Sequence, residues 1–322
     1  MDNRLPPLPA AVSIRPLREG ELNDADRIFR MAFGTFLGLP EPIAFMQGAE
    51  LVRARWRTDP EAFLAAELDG VLAGSNCATR WGSVGVVGPL TIRPELWDRG
   101  IGQKLIEAAM EMFRGWRTRD VGLFTFAHSP KHIALYQKFG FWPGSLTAVM
   151  RKRVEPMPHD VQAIRLSRLT EDARRSCIEA CFELSDAIHP GLDLRNEIRS
   201  VLAQETGDVL LLWEGSRLDG FAVCHCGPGS EAESGTCYVK FGLCRGSLQA
   251  AASFAKLLGA CQNFAATNSV PWLIAGANAA RHRAYRAMLA SGFQPHILGL
   301  AMHRANEPGY NREDVFLIDD WR

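Results

Sequence analysis

Net charge is the first thing this sequence lacks: its 322 residues hold 36 Lys plus Arg and 36 Asp plus Glu. A protein whose main partner is nucleic acid usually has a basic excess, so the composition argues against that class. The sequence also has no apolar run long enough to cross a bilayer, and its first residues lack the basic segment and apolar core of a secretory signal. We therefore expect a cytoplasmic protein with neither a nucleic-acid nor a membrane partner.

A disulfide framework is missing as well. The eight cysteines lie in runs typical of small buried residues, and the chain is far larger than a disulfide-stapled mini-protein. The segment Cys224-His225-Cys226 suggests a metal, but in a strand its two cysteines share one face and its histidine takes the other. No second Cys/His pair has zinc-like spacing, so we expect these residues to pack in the core and expect no metal.

What the sequence does have is an internal repeat. Two stretches, around Gly140-Phe141 and around Gly292-Phe293, each read as a helix, the Gly-Phe pair, a turn and a β-like run. Further prolines, leucines and methionines match between the two stretches at one constant offset. Self-similarity of this kind predicts two copies of one structural unit.

Domain boundaries follow from the repeat. Each half starts with a β-like piece and an acidic helical segment, and then has two strands joined by a turn pair typical of a hairpin. Prolines and charges interrupt the pattern between Arg151 and Gln162. We predict an extended leader at 1–11, a first domain at 12–155 and a second domain at 156–322.

The stretch SVGVVGPLTI at 83–92 reads as a strand rich in Val and Ile, with Gly88 and Pro89 in its middle. Proline cannot donate to a ladder and glycine marks a bulge, so we expect this strand to part from a neighbour here. The parting is either a bulge at an edge or a slot in which a ligand pairs with the free backbone.

The stretch PELWDRGIGQKLIEAA at 94–109 places two glycines at the start of an amphipathic helix. Helix N-termini expose unpaired N–H groups and a partial positive charge. Because Gly100 and Gly102 carry no Cβ, a phosphate can approach this backbone closely, and Arg99 and Lys104 add positive charge. The pattern matches neither a Rossmann fingerprint nor a P-loop, and indicates a pyrophosphate-binding turn.

With both motifs in view, the first half resembles the GNAT superfamily of acyl-CoA-dependent N-acetyltransferases. The family's loop, Arg/Gln-x-x-Gly-x-Gly/Ala, is matched from Gly100 onward, with Trp97 at its first position. Its second motif, Asn-x-x-Ala-x-x-x-Tyr-x-x-x-Gly-Phe, is matched at Tyr136, with Ser129 and His132 in place of Asn and Ala. The two motifs together, at this separation, are fairly specific.

The resemblance implies an α/β fold of two tandem GNAT-like domains, each a mixed, mostly antiparallel twisted sheet flanked by helices. It also implies that acetyl-CoA serves as co-substrate and that an amine attacks its thioester directly. The residues that would bind acetyl-CoA are Leu90, Thr91, Ile92, Arg99, Gly100, Ile101, Gly102, Gln103, Lys104 and Ser129.

Two side chains are candidates for proton movement. The resemblance implies that Tyr136 hydrogen-bonds the sulfur that leaves. His128 follows an apolar strand and is a candidate base, because histidine titrates near neutral pH and ligands gather at strand ends. Glu67 and an ordered water are the alternatives to His128.

The second half resembles the same fold more faintly, since Met288 stands at the offset of Tyr136. A thioether cannot donate a proton, so we expect the first domain to be catalytic and the second a degenerate copy. The closing run at 314–318 is expected to add an edge strand or to cover a neighbour.

Function is expected to be N-acetylation of a primary amine on a small molecule or peptide, by a monomer or homodimer. Acceptor specificity is expected in the apolar stretch at 30–56. The alternatives are a non-catalytic acyl-CoA sensor on the same scaffold and the transfer of a longer acyl or an aminoacyl group.

Overall fold

A computed structural model describes residues 12–155 and 163–322. The leader predicted at 1–11 lies outside these residues, as does most of the predicted boundary segment. The first half contains β1 (Ser13–Pro16), α1 (Leu22–Phe36), α2 (Leu51–Thr58), β2 (Phe63–Leu68), β3 (Val71–Trp81), β4 (Val84–Ile92), α3 (Ile101–Gly115), β5 (Asp120–Thr125), α4 (Pro130–Gln137) and β6 (Phe141–Arg153).

The second half repeats this order of elements. It contains β7 (Ile164–Arg165), α5 (Glu171–Ile188), α6 (Arg195–Ala203), β8 (Gly207–Glu214), β9 (Arg217–Cys226), β10 (Thr236–Cys244), α7 (Ala250–Thr267), β11 (Trp272–Asn278), α8 (His282–Ala290) and β12 (Gln294–Arg304), and a short β13 (Leu317–Ile318) follows. A mixed α/β fold with the same element sequence in each half is the architecture that the repeat predicted.

All strands of the described residues belong to one sheet, in the order β1-β2-β3-β4-β5-β12-β6-β11-β10-β9-β8-β7. Neighbours are antiparallel except for two parallel pairs, β4 with β5 and β10 with β11. The predicted hairpins are β2–β3 and β8–β9. The sheet is therefore mostly antiparallel, and its two parallel pairs occupy equivalent places in the two halves.

The two halves exchange their last strands. β12 pairs with β5 of the first half, from Leu300 opposite Thr125 to His303 opposite Gly122. Conversely, β6 pairs with the whole of β11 of the second half, from Thr147 opposite Asn278 to Arg153 opposite Trp272. Each half therefore completes the sheet of the other, and separating them would expose the edges of β5 and β11.

Helices cover both faces of the sheet, and the sequence of α3 shows why this segment forms a helix that packs against the sheet. Its residues Leu105, Ala109 and Phe113 recur every four positions and are fully buried against the sheet. On the opposite face, α1 and α2 bury a separate apolar cluster that contains Phe29 and Val52. The first half thus has a layer of helix on each side of the strands that part at β4 and β5.

The closing segment of the chain fills a gap in the second half. β10 and β11 pair only from Thr236 to Val239, and beyond that point β13 pairs with Gly242 and Leu243 of β10. The segment was predicted to add an edge strand or cover a neighbour. It adds a short strand that pairs with β10 alone, and its buried Leu317 and Ile318 take the place of the missing partner of β10.

The described residues contain eight free cysteines, seven of them buried, and no group of His, Cys, Asp and Glu able to hold a metal ion. Cys224 belongs to an apolar core cluster, and the His225 ring lies tilted 6.3 Å from the Tyr238 ring. Within the described ranges, no helix combines the length and apolar character required to cross a bilayer.

Candidate active site

A cavity opens in the first half where β4 and β5 part. Their pairing ends at Val87 opposite Leu123, and β4 continues to Ile92 without a partner on that side. Against β3, the segment from Val87 to Leu90 contains one residue more than the facing segment from Asn76 to Ala78, which is a bulge at Gly88 and Pro89. The resulting cavity measures about 630 Å³.

The start of α3 forms one wall of this cavity. Gly100 precedes the helix at φ +77°, a left-handed conformation that favours glycine. The amides of Ile101, Gly102 and Gln103 make no hydrogen bond within the described chain. A Cβ on Gly100 would meet nothing within 4 Å, and one on Gly102 would come no closer than 3.7 Å to Leu90. Three free N–H groups at a helix N-terminus, in open space, fit a pyrophosphate.

Tyr136 lies on α4, the helix next to this turn. Its side chain is 9% exposed, and its ring meets that of Phe141 edge-on at 6.2 Å. The hydroxyl makes no hydrogen bond to any described residue, and Tyr136 lines the cavity. Burial raises the pKa of Tyr136 well above its ordinary value, so the phenol stays protonated and can only donate or accept a hydrogen bond at neutral pH.

The other residues predicted to bind acetyl-CoA divide into two groups. Those that line the cavity are Leu90, Ile92, Gly100, Ile101, Gly102, Gln103 and Ser129. Thr91 faces away, with its hydroxyl 3.2 Å from that of Ser75, and both Arg99 and Lys104 are exposed outside the cavity lining. Positive potential at this wall therefore comes from the helix N-terminus more than from these two side chains.

At two positions where the residue differs from the family's motifs, the polar group of the side chain already makes a hydrogen bond within the protein. Trp97 lines the cavity, and its indole N–H donates to the carbonyl oxygen of Ile92 at 2.9 Å. The Ser129 hydroxyl precedes α4 and accepts a hydrogen bond from the amide of His132 at 3.4 Å. Both side chains therefore stabilise the walls of the cavity.

Comparison with known proteins agrees with this geometry. Residues 28–141 match the model of the Acetyltransferase (GNAT) family. This match covers about a third of the chain, so the first half is similar to a GNAT acetyltransferase domain and is called the GNAT domain below. No curated protein sequence matches the chain.

Solved structures extend the likeness over both halves. A protein from Pyrococcus horikoshii assigned as an acetyltransferase is 16% identical, with a TM-score of 0.68 over 100% of this chain and 98% of its own. A GCN5-related N-acetyltransferase from Sphaerobacter thermophilus is 14% identical, with a TM-score of 0.59 over 91% of this chain and 95% of its own. At these identities the likeness shows the fold, and it includes the second half as well as the GNAT domain.

The candidate bases of the GNAT domain lie in different places. His128 is exposed and does not line the cavity, and its ring lies 5.4 Å from that of Phe36. The carboxylate of Glu67 forms an ion pair with Arg15 at 2.6 Å, and Glu67 does not line the cavity either. His132, which stands at the position of Ala in the family's second motif and was not predicted as a site residue, does line the cavity. Burial, helped by the charge of Lys131, lowers its pKa, so its imidazole is neutral at neutral pH. Its position one helical turn before Tyr136 was the available signal.

Phenylalanines cover the opposite wall of the cavity. Phe33 stacks on Phe45 at 5.3 Å, and Phe36 meets Phe126 at 5.2 Å. The whole set, here called the phenylalanine cluster, is Phe29, Phe33, Phe36, Phe45, Phe124 and Phe126. Four of its members come from residues 29–45, largely within the stretch in which acceptor specificity was expected.

The second half also contributes to the cavity of the GNAT domain. Its loop before β10 packs on the segment between α1 and α2, where the amide of Ser234 donates to the carbonyl oxygen of Gln47 at 2.9 Å. The second-half residues that line the cavity are Glu233, Ile297, Trp321 and Arg322. Trp321 is close enough to β5 that a Cβ on Gly122 would overlap its ring.

A buried ion network joins the halves beside the bulge. Glu231 accepts from Arg55 at 2.8 Å and from Lys240 at 2.5 Å, and Lys240 also pairs with Glu197 at 2.9 Å. Burial would raise the pKa of Glu231, but the charges of Arg55 and Lys240 hold it well below its ordinary value. Arg55 also donates to the carbonyl oxygen of Gly88 at 3.3 Å, so the network positions the bulge.

Proposed function

We propose that the protein is an acetyl-CoA-dependent N-acetyltransferase that transfers the acetyl group directly to a primary amine of a small molecule or peptide. The observation that carries this proposal is the convergence of three features on one cavity. These are the unpaired segment of β4, the free amides at the start of α3 and the unpartnered hydroxyl of Tyr136.

Each feature matches one requirement of the reaction. The amides of Ile101, Gly102 and Gln103 would bind the pyrophosphate, and the β4 backbone beyond Val87 would pair with the pantetheine arm. Amides of the same segment would polarise the thioester carbonyl. Acetyl-CoA, when bound, supplies the activated acetyl group and the thiolate that leaves.

Tyr136 acts at the sulfur. Its raised pKa makes complete proton transfer to a thiolate unfavourable, since a simple thiol ionises more readily. The phenol instead donates a hydrogen bond that strengthens as negative charge develops on the sulfur.

Catalysis is assigned to the GNAT domain alone. In the second half, β13 occupies the gap between β10 and β11 that is equivalent to the cavity, and Met288 is fully buried in the core. The second half therefore keeps the scaffold, while its own chain takes the place that a ligand would need.

The experiment is a transfer assay on the full chain with acetyl-CoA and a panel of amines, read by release of free thiol and by mass of the product. We expect one acetyl group per product and binding of one CoA per chain. A protein that binds CoA yet acetylates no amine would be a sensor instead, and binding of two CoA molecules per chain would contradict the assignment to one half.

A further inference from the structure

The walls of the cavity differ in chemistry, and the difference bears on the acceptor. The α3 and α4 side presents helix amides and Tyr136, whereas the α1 side presents the phenylalanine cluster. Phe33 and Phe45 are nearly parallel, with 18° between their planes, and Phe36 contributes a ring that is only partly buried. Such rings offer faces and edges to a flat apolar group.

The charges of the lining argue against a polycation. Its cationic side chains are Lys131, Lys138 and Arg322, and its carboxylates are Asp98 and Glu233. Asp98 is already paired with Lys131 at 2.5 Å. A polyamine or aminoglycoside would bring several positive charges to a cavity whose lining offers one carboxylate without an ion pair, Glu233, to balance them.

Glu233 is the carboxylate left for a ligand. Its side chain makes no hydrogen bond or ion pair with any described residue, although it lines the cavity. Arg322, its cationic neighbour, lies over the ring of Tyr238 at 3.9 Å and beside Asp320 at 3.3 Å. The direct ion-pair partner of Arg322 is therefore Asp320, while Glu233 senses the charge of Arg322 without contacting it, so the carboxylate oxygens of Glu233 are available to an ammonium group.

We infer that the acceptor is a primary amine with a single positive charge on a flat aromatic body, an arylalkylamine in chemical class. This inference rests on the proposed function and names its substrate. The aromatic body lies against the phenylalanine cluster, and Glu233 of the second half receives the ammonium group. The second half is then part of the acceptor site.

Competition between acceptors tests the substrate class. With the full chain and acetyl-CoA, phenethylamine and tryptamine are compared with butylamine, spermidine and kanamycin. We expect kcat/KM for the aromatic amines to exceed the others at least tenfold. A preference for spermidine or kanamycin would overturn the inference while leaving the proposed function intact. Failure of every amine, with CoA still bound, would remove the proposed function itself.

The donor must be varied in the same way, because an apolar wall also suits a longer acyl chain. Acetyl-CoA and octanoyl-CoA are compared with phenethylamine as acceptor. We expect acetyl-CoA to react faster. A tenfold preference for octanoyl-CoA would assign the phenylalanine cluster to the acyl group and overturn the inference.

Substitutions test the two residue roles. Glu233→Gln should raise the KM for phenethylamine about tenfold and leave the Kd for CoA unchanged, whereas Glu183→Gln, the same change at an exposed position of α5, should alter neither. Phe33→Leu keeps the half-buried position apolar and should reduce the preference for phenethylamine over butylamine at least threefold. An unchanged KM in Glu233→Gln, or an unchanged preference in Phe33→Leu, would contradict the assigned role.

Discussion

Replacing Tyr136 with phenylalanine is expected to lower the rate of turnover without changing the stability of the fold. The hydroxyl has no hydrogen-bond partner among the described residues, so Tyr136→Phe leaves no buried group unsatisfied. We therefore expect the free energy of unfolding to change by no more than about 0.5 kcal/mol, as for substitutions that break no contact. The Kd for CoA should also change little, because the proposed pyrophosphate site is at α3.

The expected loss is confined to turnover. A hydrogen bond to a charged group contributes about 1.5–3 kcal/mol. Since each 1.36 kcal/mol of barrier is a factor of ten in rate, kcat should fall roughly 10- to 150-fold. The assay is steady-state release of thiol from acetyl-CoA with saturating amine, accompanied by urea unfolding and CoA titration of the same preparation.

The chain provides a matched control in the repeated half. Tyr285 lies on α8, the counterpart of α4, is partly buried beside the core and does not line the cavity. Tyr285→Phe should leave kcat unchanged. An unaltered kcat in Tyr136→Phe would remove the phenol from the reaction, and an equal loss in both variants would show that the effect is structural.

Three further predictions concern the cavity wall, the ion network and acid stability. Gly100→Val places a side chain at φ +77° on the proposed pyrophosphate-binding wall, so CoA titration should show a weaker Kd by tenfold or more; an unchanged Kd would remove this turn from the site. Glu231→Gln leaves Arg55 and Lys240 without their shared counter-ion and should cost about 3–5 kcal/mol in urea unfolding; a loss below about 1 kcal/mol would contradict the network. Burial lowers the pKa of His225 to about 4, so between about pH 6.5 and 4 the unfolded state binds a proton that the folded state does not. Stability should then fall by up to about 1.4 kcal/mol per pH unit as the pH drops, and less steeply in His225→Phe; identical slopes would refute the assignment.

Because of the strand exchange, neither half completes its part of the sheet without the other. The pairs β5–β12 and β6–β11 cross between the halves, and the ion network at Glu231 joins them again. The shape and charge of the cavity therefore depend on the second half, because Glu233, Trp321 and Arg322 line the cavity and belong to that half. The second half is thus a structural part of the same sheet and cavity.

The sequence by itself determined the features that arise within a few residues of one another. A glycine able to adopt positive φ before an amphipathic segment predicts a helix start with open amides, and this is found at Gly100. The bulge in β4 could be predicted because Gly88 and Pro89 disturb a strand locally. Tyr136 could be selected because its spacing from Gly140 matches the motif of the family that the first half resembles. The tandem architecture could be predicted because the repeat has a constant offset.

Only the tertiary structure decided which distant segments meet. The contact between Arg55 and Glu231 spans 176 residues, and nothing near either position in sequence specifies it. The exchange of β6 and β12, the insertion of β13 beside β10 and the arrival of Glu233 at the cavity depend on how whole strands complete a shared sheet. Local propensity fixes the elements, whereas burial of apolar faces and pairing of strand edges across the whole chain fix their neighbours.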